Sequence, residues 1–435
     1  MIERNGDHAE SAIASEEDHT HYHGADKAEE HLSVGDALKM FLGTIRVTGK
    51  KTVGTMESLS RIASEDVKSP TNLPRIARST RDGYALCVSA NEITTFKLVG
   101  EVRIGVIPKL ELKEGEAARV ATGSYLPRGA NAVAMVEYAK VSDDEIDITK
   151  RAIVGENILK EGEDIAEGET LISRGTKISS QHVALFSMLG ISRVKVFRRP
   201  TIAFFSTGDE LEELAKTKTS SKESPKIFDS NRPFLASQIS ELGCKPVDLG
   251  IARDNFDQIK KKILRGLKYD ALFLSAGSSV GRRDYVSDAV SSIKGLKLIV
   301  HGVAMRPSSP TGLAVYKEKP VVLLPGFPTS AIVSFYVFGR PAILKLSGST
   351  SLDPPRIRAK LLNSYNGKPG LTHYVRLRVF RREGEENYSA EIAKPSEAQY
   401  SSWLKSANAI AVLPEERTSV SAGEEVSAFL IGDLD

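Results

Sequence analysis

Five short segments of this chain carry side chains that could do chemistry together. Residues 202–211, IAFFSTGDEL, begin as an apolar run and end in a turn with two adjacent carboxylates, Asp209 and Glu210. In an α/β protein a strand ending this way delivers acids and backbone N–H groups to the crevice where such folds bind ligands. Thr207 and Gly208 open that turn. Four further loops follow strands or their connections: Phe228-Asp229-Ser230-Asn231, Gly277-Ser278-Ser279-Val280-Gly281 ahead of Asp284, Met305-Arg306-Pro307-Ser308-Ser309-Pro310, and Pro325-Gly326-Phe327-Pro328-Thr329-Ser330. The small residues Gly277, Ser278, Ser279 and Gly281 let backbone N–H groups approach a phosphate. Thr329 or Ser330, opening a helix, would set such an anion at the positive end of its dipole. Arg306 adds a fixed positive charge, and Glu210, Asp229 and Asp284 supply oxygens suited to Mg²⁺ or a similar hard cation. The pairing favours phosphoryl or phosphoanhydride chemistry. Each feature alone has a plainer reading: Asp209 and Asp229 as caps, Asp82 as the corner of an Asp-Gly turn, His301 as a polar strand end.

Loops of this kind need a sheet to hold them. From residue 200 apolar runs at 201–206, 270–275, 298–304 and 321–324 alternate with helical patterns at 233–242, 255–267, 284–293 and 329–346. That alternation predicts a doubly wound parallel sheet. Ahead of it, a helix begins after Ser33, with Val34, Ala37, Leu38, Phe41, Leu42 and Ile45 at helical spacing. Short β-rich runs then follow at 96–99, 118–121 and 132–136, separated by turn residues. A second helical stretch spans 181–189 and closes at Gly190. After Asp353-Pro354-Pro355, runs at 374–380, 388–392, 409–413 and 426–430 predict a separate β module.

Composition narrows the function classes. The 435 residues suit about three domains at roughly 150 residues each. With 59 basic against 56 acidic side chains, neither nucleic acid nor a membrane surface is indicated as a partner. Residues 1–31 hold nine acids against Arg4 and Lys27, so the folded body is mildly basic, which suits an anionic ligand. This segment, with His8, His19, His21, His23 and His31, reads as a disordered tail. Its His triplet could hold a transition metal, but no rigid surroundings are evident. Cys87 and Cys244 lack metal or disulfide spacing, and no run approaches the roughly 20 apolar residues of a membrane span. A cytoplasmic protein is expected.

The motifs RSTRDGYA, ATGSYLPRGANAV, ILKEGEDI, STGDEL, FDSNR, SAGSSVGRRDY, HGVAMRPSSP and LLPGFPTSA, in this order, resemble the molybdopterin molybdotransferase family, MoeA and the gephyrin E-domain, in an archaeal-like form. The resemblance implies a multidomain α/β plus β fold. After the tail at 1–31 come a linker domain at 32–74 and 155–199, an inserted β module at 75–154, a three-layer α/β domain at 200–350 that is MogA-like, and a C-terminal β-barrel at 351–435. It implies a homodimer that inserts molybdate into adenylylated molybdopterin and releases AMP with help from Mg²⁺, acting after an upstream adenylyltransferase. By motif position Asp82 and Thr122 of the β module would complete the site opposite Glu210, Asp254 and Asp284 of the partner subunit's α/β domain. Glu210 and Asp284 would hold the metal. Thr207, Gly208, Asp229, Asn231, Gly277, Ser278, Ser279, Gly281, Arg306, Pro307, Ser309, Pro325, Gly326, Thr329 and Ser330 would line the substrate. The chain departs from the family pattern at Ala276 for a glycine, at Ser309 for a lysine, and at Phe327 for an asparagine. These losses motivate one alternative, a catalytically weakened paralogue serving as cofactor carrier or scaffold; the phosphate loop and carboxylates alone would also suit a second, a nucleotide-processing hydrolase on the same α/β fold.

Overall fold

The computed structural model describes residues 31–89, 93–213, 226–276, 284–393, 402–417 and 419–434. The tail at 1–30 lies outside them. No helix among the described residues is long and apolar enough to cross a membrane.

At the centre stands a six-stranded sheet. Four parallel strands run in the order Lys245–Ala252, Thr201–Thr207, Ala271–Ala276 and Lys319–Pro325, and two antiparallel strands follow, Gly312–Tyr316 and Leu296–His301. Alternate side chains of each strand feed opposite cores: Ile202 and Phe204 one face, Ala203 and Phe205 the other. The helices Asn231–Glu241 and Pro328–Ser334 cover the first face, Phe256–Gly266 and Tyr285–Ser291 the second, giving three layers. Two expectations are corrected here. The sheet is mixed rather than wholly parallel, because the run at 298–304 belongs to an edge strand antiparallel to its neighbour. The opposite edge, Lys245–Ala252, was not anticipated; Pro246, Asp248 and Gly250 mask its apolar pattern, and only an edge strand accommodates such residues readily. The helix expected at 329–346 is present but passes through one π-helical turn at Phe335–Gly339.

The helix Val34–Gly43 starts where Ser33 accepts a hydrogen bond from the Asp36 N–H. Its buried Ala37 and Phe41, with Ile45 beyond, pack in the α/β core, although its position in the chain grouped it with the linker. In the linker itself, Lys50–Gly54 pairs antiparallel with Arg193–Phe197 over a small core around Ile178 and Phe186. The intervening β module is a six-stranded sheet with an apolar cluster on each face.

The C-terminal region closes into a five-strand barrel, because Thr372–Phe380 pairs with both Tyr388–Ile392 and Ala409–Leu413. Val375, Leu377 and Val379 point into the barrel. Tyr374, Trp403, Ile410 and Phe429 instead join the α/β core, so the module expected to stand apart shares one apolar cluster with its neighbour. Tyr336 lies 5.9 Å from Phe429 ring to ring, and its phenol, pushed up to about 12 by burial, donates to the Ile431 carbonyl at 3.3 Å.

Candidate active site

The carboxyl ends of the parallel strands are joined by a network of buried hydrogen bonds. Asp229, 6% exposed, accepts from the N–H groups of Asn231 and Arg232 through Oδ1. Asn231 in turn donates to the Ser275 hydroxyl at 2.6 Å and the Gly326 carbonyl at 2.8 Å, and the Ser275 hydroxyl donates to the Pro325 carbonyl. Thus the 228–231 and 325–330 loops expected at the site converge through Asn231. Among the described residues, Ser206 Oγ and Asp229 Oδ2 are buried here without a hydrogen-bond partner, although Arg232 lies 3.7 Å from Oδ2. Such atoms are rare in folded chains.

The Thr207–Gly208 turn is clamped by a residue that the sequence reading missed. Arg253 donates to the carbonyls of Gly208, Asp209 and Leu211, at 3.4, 3.0 and 3.1 Å. Asp209 and Asp254 cap each other's amides at 3.3 Å, so Asp209 does take the capping role and Asp254 stands beside it. Glu210 is exposed and folds its carboxylate over Gly208, where a Cβ would lie 2.6 Å from Oε1. A side chain at 208 would displace that flexible carboxylate, and the φ of 151° itself favours glycine.

Asp284 has local work. Its Oδ1 accepts from Val286 and Ser287 N–H, and its Oδ2 from the Ser287 hydroxyl at 2.6 Å. Among the described residues no three His, Cys, Asp or Glu side chains are grouped to hold a metal ion. Gly277, Ser278, Ser279 and Gly281 lie outside the described residues. On the β module, Asp82 and Thr122 do come together: the exposed Asp82 carboxylate accepts the Thr122 N–H at 2.7 Å. Gly83 behind it is obligatory, since a Cβ there would sit 1.9 Å from the Ala134 carbonyl oxygen.

Comparison with known proteins follows this geometry domain by domain. Residues 32–190 match the model of the MoeA N-terminal region (domain I and II), 203–345 that of a probable molybdopterin binding domain, and 358–431 that of the MoeA C-terminal region (domain IV). A protein of Methanocaldococcus jannaschii named "Putative molybdopterin biosynthesis protein" is 33% identical over 66% of this chain and 72% of its own length. The chain belongs to the MoeA family. A molybdopterin molybdenumtransferase of Haemophilus influenzae is 29% identical over 87% of this chain and 93% of its own. The crystal structure of the molybdopterin biosynthesis MoeA protein of Pyrococcus horikoshii superposes with a TM-score of 0.78 at 30% identity, covering 93% of this chain and all of that one.

Between the α/β domain and the barrel of this MoeA-family chain lies a cavity of about 630 Å³. Arg306, Pro307, Thr329 and Ser330, named in the sequence reading, form one wall, and the other comes from barrel residues that the sequence reading did not select, among them Lys368, His373 and Arg376. The wall is built by pairing across domains, Met305–Arg306 running parallel to Thr372–His373. Thr329 is buried and accepts the Trp403 indole N–H at 2.8 Å, so its hydroxyl also ties the domains together. The departures from the family have visible consequences. Ser309 turns its hydroxyl onto the Val303 carbonyl at 3.1 Å, and Phe327 stands 56% exposed at the cavity. Ser308, at φ 89°, stands in the left-handed region that few non-glycine residues adopt, and its hydroxyl donates to the Ser330 carbonyl at 2.7 Å.

Proposed function

We propose that this chain is a molybdopterin molybdotransferase: it inserts molybdate into adenylylated molybdopterin and releases AMP. The coarser part, a transferase in molybdenum cofactor biosynthesis, rests on family membership and on relatives carrying that name. The finer part is supported by one observation above all. The loops at the sheet's carboxyl ends are locked to one another around buried polar atoms, and they adjoin a cavity with cationic walls.

In this reading Arg306 and Arg376 draw the anionic substrate and oxyanion into the cavity, while the network around Asn231 keeps the loops from rearranging as charge develops. Water attacks the phosphoanhydride, its proton passing to a carboxylate of the Glu210 and Asp254 group, and AMP departs. The two dithiolene thiols add to molybdate through sulfur and displace one of its oxygens, which leaves as a single water carrying both thiol protons. The donor set fits a divalent cation shared with substrate phosphates better than a protein cage, because the Asp284 oxygens are committed to the helix cap. Glu210 would hold that cation, which would offset charge on the departing phosphate. Asp82 and Thr122 are exposed and need a facing surface; a homodimer would bring the α/β loops of a second protomer to them.

The test is AMP release by the purified full chain given adenylylated molybdopterin, Mg²⁺ and molybdate. Release that depends on molybdate supports the reading, and none would overturn it. A second reading, a weakened paralogue acting as carrier or scaffold, is favoured by the inward turn of Ser309, which leaves the family's second lysine charge unreplaced. Ser309→Lys separates the two: a weakened enzyme gains affinity for the anion, by up to about tenfold for a new charged hydrogen bond, and a scaffold gains no turnover.

A further inference from the structure

The barrel wall of the cavity is held by one buried histidine. His373 is 1% exposed, and its backbone pairs in register with Arg306 of the α/β domain. Its Nδ1 lies 2.9 Å from Tyr365 Oη. Its Nε2 lies 3.0 Å from the Lys368 N–H nitrogen and 2.8 Å from the Lys368 carbonyl oxygen. With the proton on Nδ1, the ring donates to Tyr365 and accepts from the Lys368 N–H. With the proton on Nε2, it accepts from the Tyr365 hydroxyl and donates to the Lys368 carbonyl. Either tautomer satisfies both nitrogens with the same two residues. Between them sits Gly367, where a Cβ would lie 2.7 Å from Nε2, so this loop can close onto the ring only with glycine there.

We propose that His373 is a positioning residue for the substrate cavity. It fastens the Tyr365-to-Lys368 segment to the strand that carries Arg306, so that the cationic walls contributed by two domains keep one spacing. The inference deepens the molybdotransferase reading and rests on it for its ligand, an oxyanion or phosphate. The ring itself offers that ligand no hydrogen bond, because both nitrogens are engaged. Its effect therefore falls on binding rather than on the chemical step.

The experiment uses the full chain with His373→Phe, which keeps a ring but neither contact, and His373→Gln, which can still reach Lys368. In the AMP-release assay, His373→Phe is expected to raise the KM for molybdate about tenfold with kcat within about twofold, and His373→Gln to recover part of that loss. Amide exchange across residues 363–368 should accelerate about tenfold or more in His373→Phe. An unchanged KM, unchanged exchange, or a fall in kcat at constant KM would overturn the proposal. Should His373→Phe fail to fold, Gly367→Ala displaces the loop while leaving the ring intact, and it carries the same expectations. Wild-type protein that releases no AMP would defeat the functional reading alone. The exchange measurement then decides the bracing role, together with the emission of Trp403, the only tryptophan, as molybdate is added.

Discussion

The two halves of the candidate site are built in opposite ways. At the junction of α/β domain and barrel, one apolar cluster runs through both, a two-residue strand pair crosses between them, and the Trp403 indole reaches the buried Thr329 hydroxyl. The β module keeps its own two cores, and it presents Asp82 exposed on a turn that the Thr122 N–H steadies. Folding completes the first half within one chain. The second half is only displayed, and its chemistry awaits whatever surface faces it.

Removing Trp403 attacks the completed half where it is most buried. Trp403→Ala should cost about 3–5 kcal/mol and lower the first thermal transition, measured by calorimetry. A barrel that melts independently of the α/β domain in the parent protein would show that the shared core does not couple them. The corresponding blow to the displayed half is Gly83→Ala, which forces a methyl group against the Ala134 carbonyl. A loss of about 1–3 kcal/mol is expected, and accelerated amide exchange should be confined to the β-module strands. Spread of that exchange into the α/β domain would erase the distinction between the halves.

This contrast also explains what the sequence disclosed. Strands with strong apolar runs, such as Thr201–Thr207 and Ala271–Ala276, announced themselves because they are buried on both faces. The edge strand Lys245–Ala252 did not, since a half-exposed edge places Pro, Asp and Gly where a central strand would not. The same holds at the site. Thr207, Gly208, Asp229, Asn231, Pro325 and Gly326 were legible as strand-exit loops. Arg253 was hidden because its work is done on carbonyls, which no residue pattern reveals. Lys368, His373 and Arg376 were hidden because the cavity they line exists only after the barrel docks on the α/β domain. Thr329 was expected to face an anion; its bond to Trp403 could not be foreseen from residues 74 positions apart.

A milder perturbation tests how the linker meets the α/β domain. Arg198 donates to both oxygens of Asp270, at 2.8 and 2.7 Å, and the Thr201 N–H also donates to Asp270. Burial alone would raise the Asp270 pKa, but the bonds from Arg198 and Thr201, with the charges of Arg198 and Lys319, hold it below the ordinary range. A carboxyl with a lowered pKa adds stability above its unfolded value, and that stability is lost as pH falls through the folded value. Asp270→Asn should therefore cost about 1–2 kcal/mol near neutrality, the exposed arginine keeping the effect modest. In thermal melts the gap between variant and parent should close as pH drops below the ordinary 3.8.

The smallest effect on stability should accompany the sharpest effect on function. Asp82→Asn keeps an oxygen to accept the Thr122 N–H, so thermal stability should stay within about 0.5 kcal/mol of the parent. Loss of the negative charge should nonetheless reduce AMP release by about a hundredfold if this carboxylate completes the site. The same residue can reveal which chain it serves. Mixing and reassociating Asp82→Asn with Glu210→Gln proteins leaves each mixed dimer one intact site when the two carboxylates come from different protomers. Such a mixture should regain about a quarter of parental activity. No recovery despite exchange of subunits would mean that both residues act from one chain, and the displayed half of the site would then be facing its own α/β domain.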